Sequence, residues 1–261
     1  MLEQLKAIAE EAGRRILEHY TADVEVTYKD DDSPLTRADR AAHDHIAGAL
    51  QAQWPDVPVI SEEGRLPEFE TRRHYHRFWL VDPLDGTKEF IKRNGDFTVN
   101  IALVEQGRVS AGVVGVPVHG RFYMAQREKG AWLLEQGQTP KRMQAREVFD
   151  ARALSAAVSR SHPSGALDTF LRKLEGVKLE ARGSSLKFCA VAEGSLDFYP
   201  RFGPLWEWDT AAAHVILEES GGIVRDLHGH ALHYNKPVLK HEAGFICASH
   251  PSLLTYLTQQ L

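Results

Sequence analysis

The apolar and aromatic run Phe78, Trp79, Leu80 and Val81 passes directly into Asp82, Pro83, Leu84, Asp85, Gly86 and Thr87. A short, unbroken run of that kind reads as a strand buried on both faces. Asp82 and Asp85 then emerge at its carboxyl end, where ligands of open α/β sheets collect. Pro83 stiffens the exit and removes an amide donor, which leaves the Leu84 carbonyl free to turn toward a cation lying between the two carboxylates. Gly86 and Thr87 open a short helix, whose exposed amides and positive dipole end suit a phosphoryl group. Taken alone, Asp-Pro and Asp-Gly pairs are also ordinary turn chemistry.

Three further pieces place more carboxylates at element ends. Val57 to Ile60 is a short apolar strand, so Ser61, Glu62 and Glu63 sit just past it. The stretch from Trp208 to Gly222 begins WDTAAAHVILEESGG, with Ala211, Ala212, Val215 and Ile216 at helical spacing and a glycine stop. Asp209 lies in its first turn, where it can cap the helix or serve a pocket. Upstream, Thr36 and Asp39 form a loose capping box before a helix whose buried face is Ala42, Ile46 and Leu50. Capping alone would account for Asp39.

Together these pieces resemble the lithium-sensitive, magnesium-dependent phosphatase superfamily, which includes inositol monophosphatases, fructose bisphosphatases and bisphosphate nucleotidases. Its hallmarks are an acidic pair after a strand, DPxDGT after the next strand, and WDxAA opening a late helix. All occur here in that order between about Lys29 and Gly222. Two longer stretches, Asp85 to Glu105 and Ser184 to Ala212, are similar to bacterial 3′(2′),5′-bisphosphate nucleotidases of the CysQ type. Inositol monophosphatases carry a glutamate shortly before WD that grips inositol hydroxyls; Arg201 to Pro204 lacks an acid there.

The resemblance implies an α/β chain folded as a layered αβαβα sandwich, with the active site between its two halves. It also implies two or three Mg²⁺ ions, held by Glu62, Asp82, the Leu84 carbonyl, Asp85 and Asp209. All are hard oxygen donors, which suit Mg²⁺ better than zinc or copper. Thr87 and Asp39 would take the proton of the attacking water, the Asp39 carboxylate being the final acceptor. The implied substrate contacts are Glu62, Asp85, Gly86, Thr87, Ser159, His162, Gly183, Ser184, Lys187, Arg201 and Asp209. Lys187 and Arg201 would supply cations to an anionic nucleotide. The expected reaction removes the 3′-phosphate of adenosine 3′,5′-bisphosphate, with its sulfated relative as a second substrate. The alternatives are an inositol monophosphatase, or a regulatory binding protein on the same fold.

Organisation and composition agree. Two helices, about Glu3 to Tyr20 and Ala38 to Gln53, flank a KDDDSP loop; strands then dominate to about residue 135, with Phe97, Val99, Ile101 and Leu103 alternating on one side. The polar stretch Glu135 to Arg146 reads as the boundary between an N-terminal α+β metal-binding half, 1–140, and a C-terminal α/β substrate-binding half, 141–261. A net charge of −5 argues against binding a nucleic-acid polymer, which needs a basic patch. Cys189 and Cys247 each lie in an apolar run and read as reduced core residues. The N-terminal amphipathic helix has no signal-peptide core, and no stretch reaches the roughly 20 apolar residues of a membrane span. A cytoplasmic enzyme is expected, peripheral contact with the inner membrane and the oligomeric state being left open. Thirteen histidines, with H-x-H triplets at His43, His74 and His228, raise zinc as a rival cofactor, but none has a third-ligand motif.

Overall fold

The computed structural model describes residues 1–20, 26–28, 34–160 and 165–261. Helices α1 (Leu2–Tyr20) and α2 (Arg37–Gln53) bracket a small hairpin of β1 (Val26–Tyr28) and β2 (Pro34–Thr36). A seven-stranded sheet follows, in sequential order: β3 (Val59–Ser61), β4 (Arg77–Asp85), β5 (Thr98–Glu105), β6 (Arg108–Val116), β7 (Arg121–Gln126), β8 (Ala131–Glu135) and β9 (Lys141–Arg142). Within this sheet, among the described residues, β3 and β4 pair in parallel and the other neighbours antiparallel. Short helices α3 (Phe69–Arg72) and α4 (Thr87–Ile91) lie on either side of β4 in the chain.

The second sheet comprises β10 (Ser155–Ser159), β11 (Lys178–Arg182), β12 (Phe198–Arg201), β14 (Ile223–Asp226) and β16 (Phe245–Ala248), in the spatial order β11-β10-β12-β16-β14. Between its strands run α5 (Gly165–Arg172), α6 (Leu186–Ala192) and α7 (Glu207–Glu219), with α8 (Pro251–Thr258) at the end. A two-stranded ribbon joins β13 (Leu205–Trp206) to β15 (Lys240–His241). Helices α1 and α2 cover one face of the large sheet, α6 and α7 fill the space between the sheets, and α8 backs the second sheet. That is the αβαβα sandwich expected from the sequence. Strand β9 extends the large sheet past residue 140.

Strand alternation explains the layering. Phe97, Val99, Ile101 and Leu103 pack with α1 and α2, while Ala102 and Val104 face the central core. Thr98 and Asn100, on that opposite face, are buried polar residues. Cys189 and Cys247 are buried free thiols, as expected. Among the described residues, no helix is long and apolar enough to cross a membrane.

Strand β4 differs from the expectation that it ends at Val81. It continues through Pro83 to Asp85, with a register shift: Asp82 faces Asn100 and Asp85 faces Thr98, so three steps on β4 match two on β5. The extra residue is a bulge, which accommodates a proline that cannot donate to the ladder. Residues three apart on a flat strand point to opposite faces. The bulge changes that parity and lets Asp82 and Asp85 turn to the same side.

Helix α7 is buried nearly all round, as a helix between two sheets must be. It lies so close to β6 that a Cβ on Gly112 would sit 2.7 Å from the Ala212 carbonyl oxygen and 2.8 Å from its Cα. Backbone cannot yield as a flexible side chain can. Gly112→Ala should therefore cost about 1–3 kcal/mol in urea unfolding. Gly48→Ala, on α2 with open space around it, should instead stabilise by up to about 1 kcal/mol. Equal effects at the two glycines would contradict the close packing of α7.

Candidate active site

Between the two sheets opens a cleft of about 320 Å³. Its walls include Glu62, Asp82, Leu84, Asp85, Gly86, Thr87, Ser159, Gly183, Ser184, Lys187, Arg201 and Asp209. Those residues are scattered over some 150 positions of sequence, and each was singled out by motif or resemblance. Asp39 lies behind Thr87, and His162 falls outside the described residues.

At the base of the cleft, Glu62 beyond β3, Asp82 on β4 and Asp209 on α7 bring carboxylate oxygens within 4.8 Å of one another. Burial and the neighbouring Glu62, Asp85 and Asp209 push the Asp82 carboxyl well above the usual range; burial and then Asp85 and Glu62 do the same to Asp209. Asp85 is also raised by burial, against the pull of Lys187. Its Oδ2 accepts from Ser185 Oγ at 3.1 Å, Asn100 Nδ2 at 3.3 Å and Thr98 Oγ1 at 3.4 Å. An all-oxygen set under mutual repulsion fits hard divalent cations, which would remove the cause of that repulsion. Among the described residues this three-carboxylate group contains no histidine. His43 instead bonds Ser61 Oγ at 2.9 Å, and the His228 and His230 rings stand 6.3 Å apart near Asp226.

Asp39 makes hydrogen bonds on both of its carboxylate oxygens, to the cap residue Thr36 and to Thr87. Its Oδ2 accepts from Thr36 N at 2.8 Å and Thr36 Oγ1 at 2.5 Å, closing the capping box of α2. Its Oδ1 accepts from Thr87 Oγ1 at 3.2 Å. Burial raises the Asp39 carboxyl above its ordinary value, and the Thr36 bonds partly offset this. Because Thr87 gives its proton to Asp39, its oxygen lone pairs remain to accept a proton from the cleft. Gly86, at φ +94°, makes the left-handed bend that puts Thr87 there.

The facing wall is built from the second half. Ser184 holds the unusual φ of +46° for a residue with a side chain. Its Oγ donates within a site formed by the carbonyls of Asp85 and Asp96, each 2.7 Å away. Lys187 is buried; its Nζ donates to Ser184 O at 2.6 Å and lies 5.5 Å from the Tyr199 ring centroid. Arg201 Nη2 donates to Pro204 O at 3.0 Å. Ser185 Oγ also reaches the Asp209 carbonyl at 2.9 Å, tying this wall to α7.

Sequence reading passed over an anchor for the 183–185 turn. Asp96 Oδ2 accepts from Arg160 Nε at 3.1 Å, Arg160 Nη2 at 2.8 Å and Gly183 N at 3.0 Å. A Cβ at Gly183 would come within 2.4 Å of the Asp96 carbonyl oxygen, so only glycine fits that approach. No local signal pairs Asp96 with Arg160, which lie 64 positions apart. Thr98 and Asn100 could have been found, since polar residues alternate there with an apolar face.

The sequence profile of the inositol monophosphatase family matches residues 1–261. The chain is 50% identical over 236 residues to the 3′(2′),5′-bisphosphate nucleotidase CysQ of Salmonella typhimurium, covering 90% of this chain and 94% of that one. It is 48% identical to the Escherichia coli enzyme of the same name, over the same shares of both chains. The crystal structure of CysQ from Bacteroides thetaiotaomicron, described as a bacterial member of the inositol monophosphatase family, superposes with a TM-score of 0.81 at 39% identity. That match covers 95% of this chain and 97% of the other.

Truncating Asp96 leaves the Gly183 amide and the Arg160 guanidinium without their acceptor. Asp96→Ala should therefore lower unfolding free energy by about 1–3 kcal/mol. Asp96→Asn, which keeps an acceptor for Gly183 N, should lose less. Denaturant titration of both variants checks this, and an unaltered Asp96→Ala would contradict the anchor.

Proposed function

The chain belongs to the inositol monophosphatase family, and on that premise we propose that it is a Mg²⁺-dependent 3′(2′),5′-bisphosphate nucleotidase. It removes the 3′-phosphate of adenosine 3′,5′-bisphosphate, leaving AMP and inorganic phosphate, and accepts the sulfated relative of that nucleotide. The observation that carries the reading is the single cleft in which the acidic cluster faces Lys187 and Arg201. One end suits metal and a transferring phosphoryl group; the other suits the rest of an anionic substrate. In keeping with this, Arg201 and Pro204 wall the cleft where an inositol-binding acid would be expected.

Glu62, Asp82 and Asp209, with Asp85 and the Leu84 carbonyl beside them, would hold two or three Mg²⁺ ions, which when bound neutralise charge and polarise phosphoryl and water oxygens. The chain's own residues handle the proton. Thr87 Oγ1 accepts it from the attacking water while passing its own to Asp39 Oδ1. The second oxygen of Asp39 stays bound to Thr36, which fixes the carboxylate's orientation. Ser184 and Ser185 hold the opposite wall to Asp85, so substrate contacts and carboxylates keep a constant separation.

Phosphate release measured with Mg²⁺ at matched concentrations should be faster from adenosine 3′,5′-bisphosphate than from inositol monophosphate. The reverse order would overturn the nucleotidase reading.

Asp39→Asn should cut kcat by about 10² or more, while costing roughly 1 kcal/mol of stability, as for a changed cap. With its carbonyl kept toward Thr36, the new amide would point its N–H groups at Thr87 Oγ1. That reverses the hydrogen bond and removes the proton acceptor. A variant that keeps most of its kcat would make Asp39 a cap alone.

A further inference from the structure

The lining of the cleft includes a further cation, Lys240, that neither the motifs nor the family resemblance assigned. Lys240 and Trp206 line the same cleft as Arg201. They are register partners in the β13–β15 ribbon, and Lys240 Nζ lies 3.9 Å from the Trp206 ring centroid. An ammonium over an indole face is held by the ring's quadrupole, yet its N–H groups stay available to an oxygen ligand. The indole is itself fixed: it stacks on Trp208, with centroids 4.7 Å apart and planes 12° apart.

The segment leading into the strand that bears Lys240 is equally constrained. Arg72 donates to Asn235 Oδ1 at 2.8 Å, Lys236 O at 2.7 Å and Pro237 O at 2.6 Å. The fully buried Glu207 accepts from Asn235 N at 2.6 Å and Lys236 N at 3.2 Å. Lys240 therefore reaches the cleft on a segment tied to both α3 and α7. Among the described residues, neither Lys240 nor Arg201 has a carboxylate partner, and Arg201 Nε is buried without any hydrogen-bond partner. Two such cations in the wall of an acid-based cleft lack only an anion.

We propose that Lys240, seated on Trp206 and working with Arg201, receives the substrate phosphate that is not hydrolysed, and so sets the preference for bisphosphorylated over monophosphorylated nucleotides. This rests on the nucleotidase reading above. An Nζ–phosphate contact is charge-assisted, and such bonds are stronger than neutral ones.

The test compares kcat/KM for adenosine 3′,5′-bisphosphate with that for adenosine 3′-monophosphate, in the wild type, Lys240→Gln and Lys240→Arg. The wild type should favour the bisphosphate. In Lys240→Gln the ratio of the two kcat/KM values should fall about tenfold, through KM for the bisphosphate, the scale of one lost hydrogen bond to a charged group. Lys240→Arg should restore most of the ratio. A wild-type preference that Lys240→Gln leaves intact overturns this assignment alone. A wild type that shows no preference overturns the nucleotidase reading, and this assignment with it.

Discussion

Mutual repulsion among carboxylates crowded around the buried Asp82 is the constraint on which the rest of this molecule depends. Glu62, Asp82 and Asp209 come from three different elements and meet within 4.8 Å. Like charges repel when all three are ionised and no cation is bound, so the surrounding structure must hold them. The bulge at Pro83 turns Asp82 and Asp85 to one side. Helix α7, brought against β6 by the absence of a side chain at Gly112, delivers Asp209. Asp85 is steadied by Ser185, Asn100 and Thr98. Apolar packing above and below supplies the energy that keeps an electrostatically unfavourable group in place.

The same cleft depends on a joint between the chain's two halves. Ser184 Oγ lies between the Asp85 and Asp96 carbonyls, Asp96 holds Gly183 and Arg160, and Ser185 links Asp85 to the Asp209 carbonyl. These bonds run from the β4–β5 region to the start of α6. They fix the distance between the acids and the cationic wall, which is the quantity a substrate with two anionic groups would measure.

Much of this was legible in the sequence because it is written locally. The apolar run before Asp82, the capping pair Thr36 and Asp39, the alternation along β5 and the glycine stop after α7 each carry their own signal, and the structure realises all four. What escaped depends on contacts distant in the chain. The continuation of β4 through Pro83 required knowledge of its partner strand, because a bulge is a property of pairing. Arg160 reaches across 64 positions to Asp96, and Arg72 across more than 160 to the segment before β15. No local signal pairs Trp206 with Lys240, which only the β13–β15 ribbon sets together.

Thermal unfolding with and without Mg²⁺ tests the central claim most directly, because it reads the cation at the cluster without reference to catalysis. At a metal concentration about 100 times its dissociation constant, binding to the folded state alone adds roughly 2.7 kcal/mol. For a chain of this size that raises Tm by roughly 5–10 °C. In wild-type protein, Tm should rise from its value in chelator and saturate. In Asp82→Asn, Tm in chelator should equal or exceed that of the wild type, and the rise with Mg²⁺ should largely disappear. A wild type indifferent to Mg²⁺, or a variant that responds as the wild type does, would contradict the account.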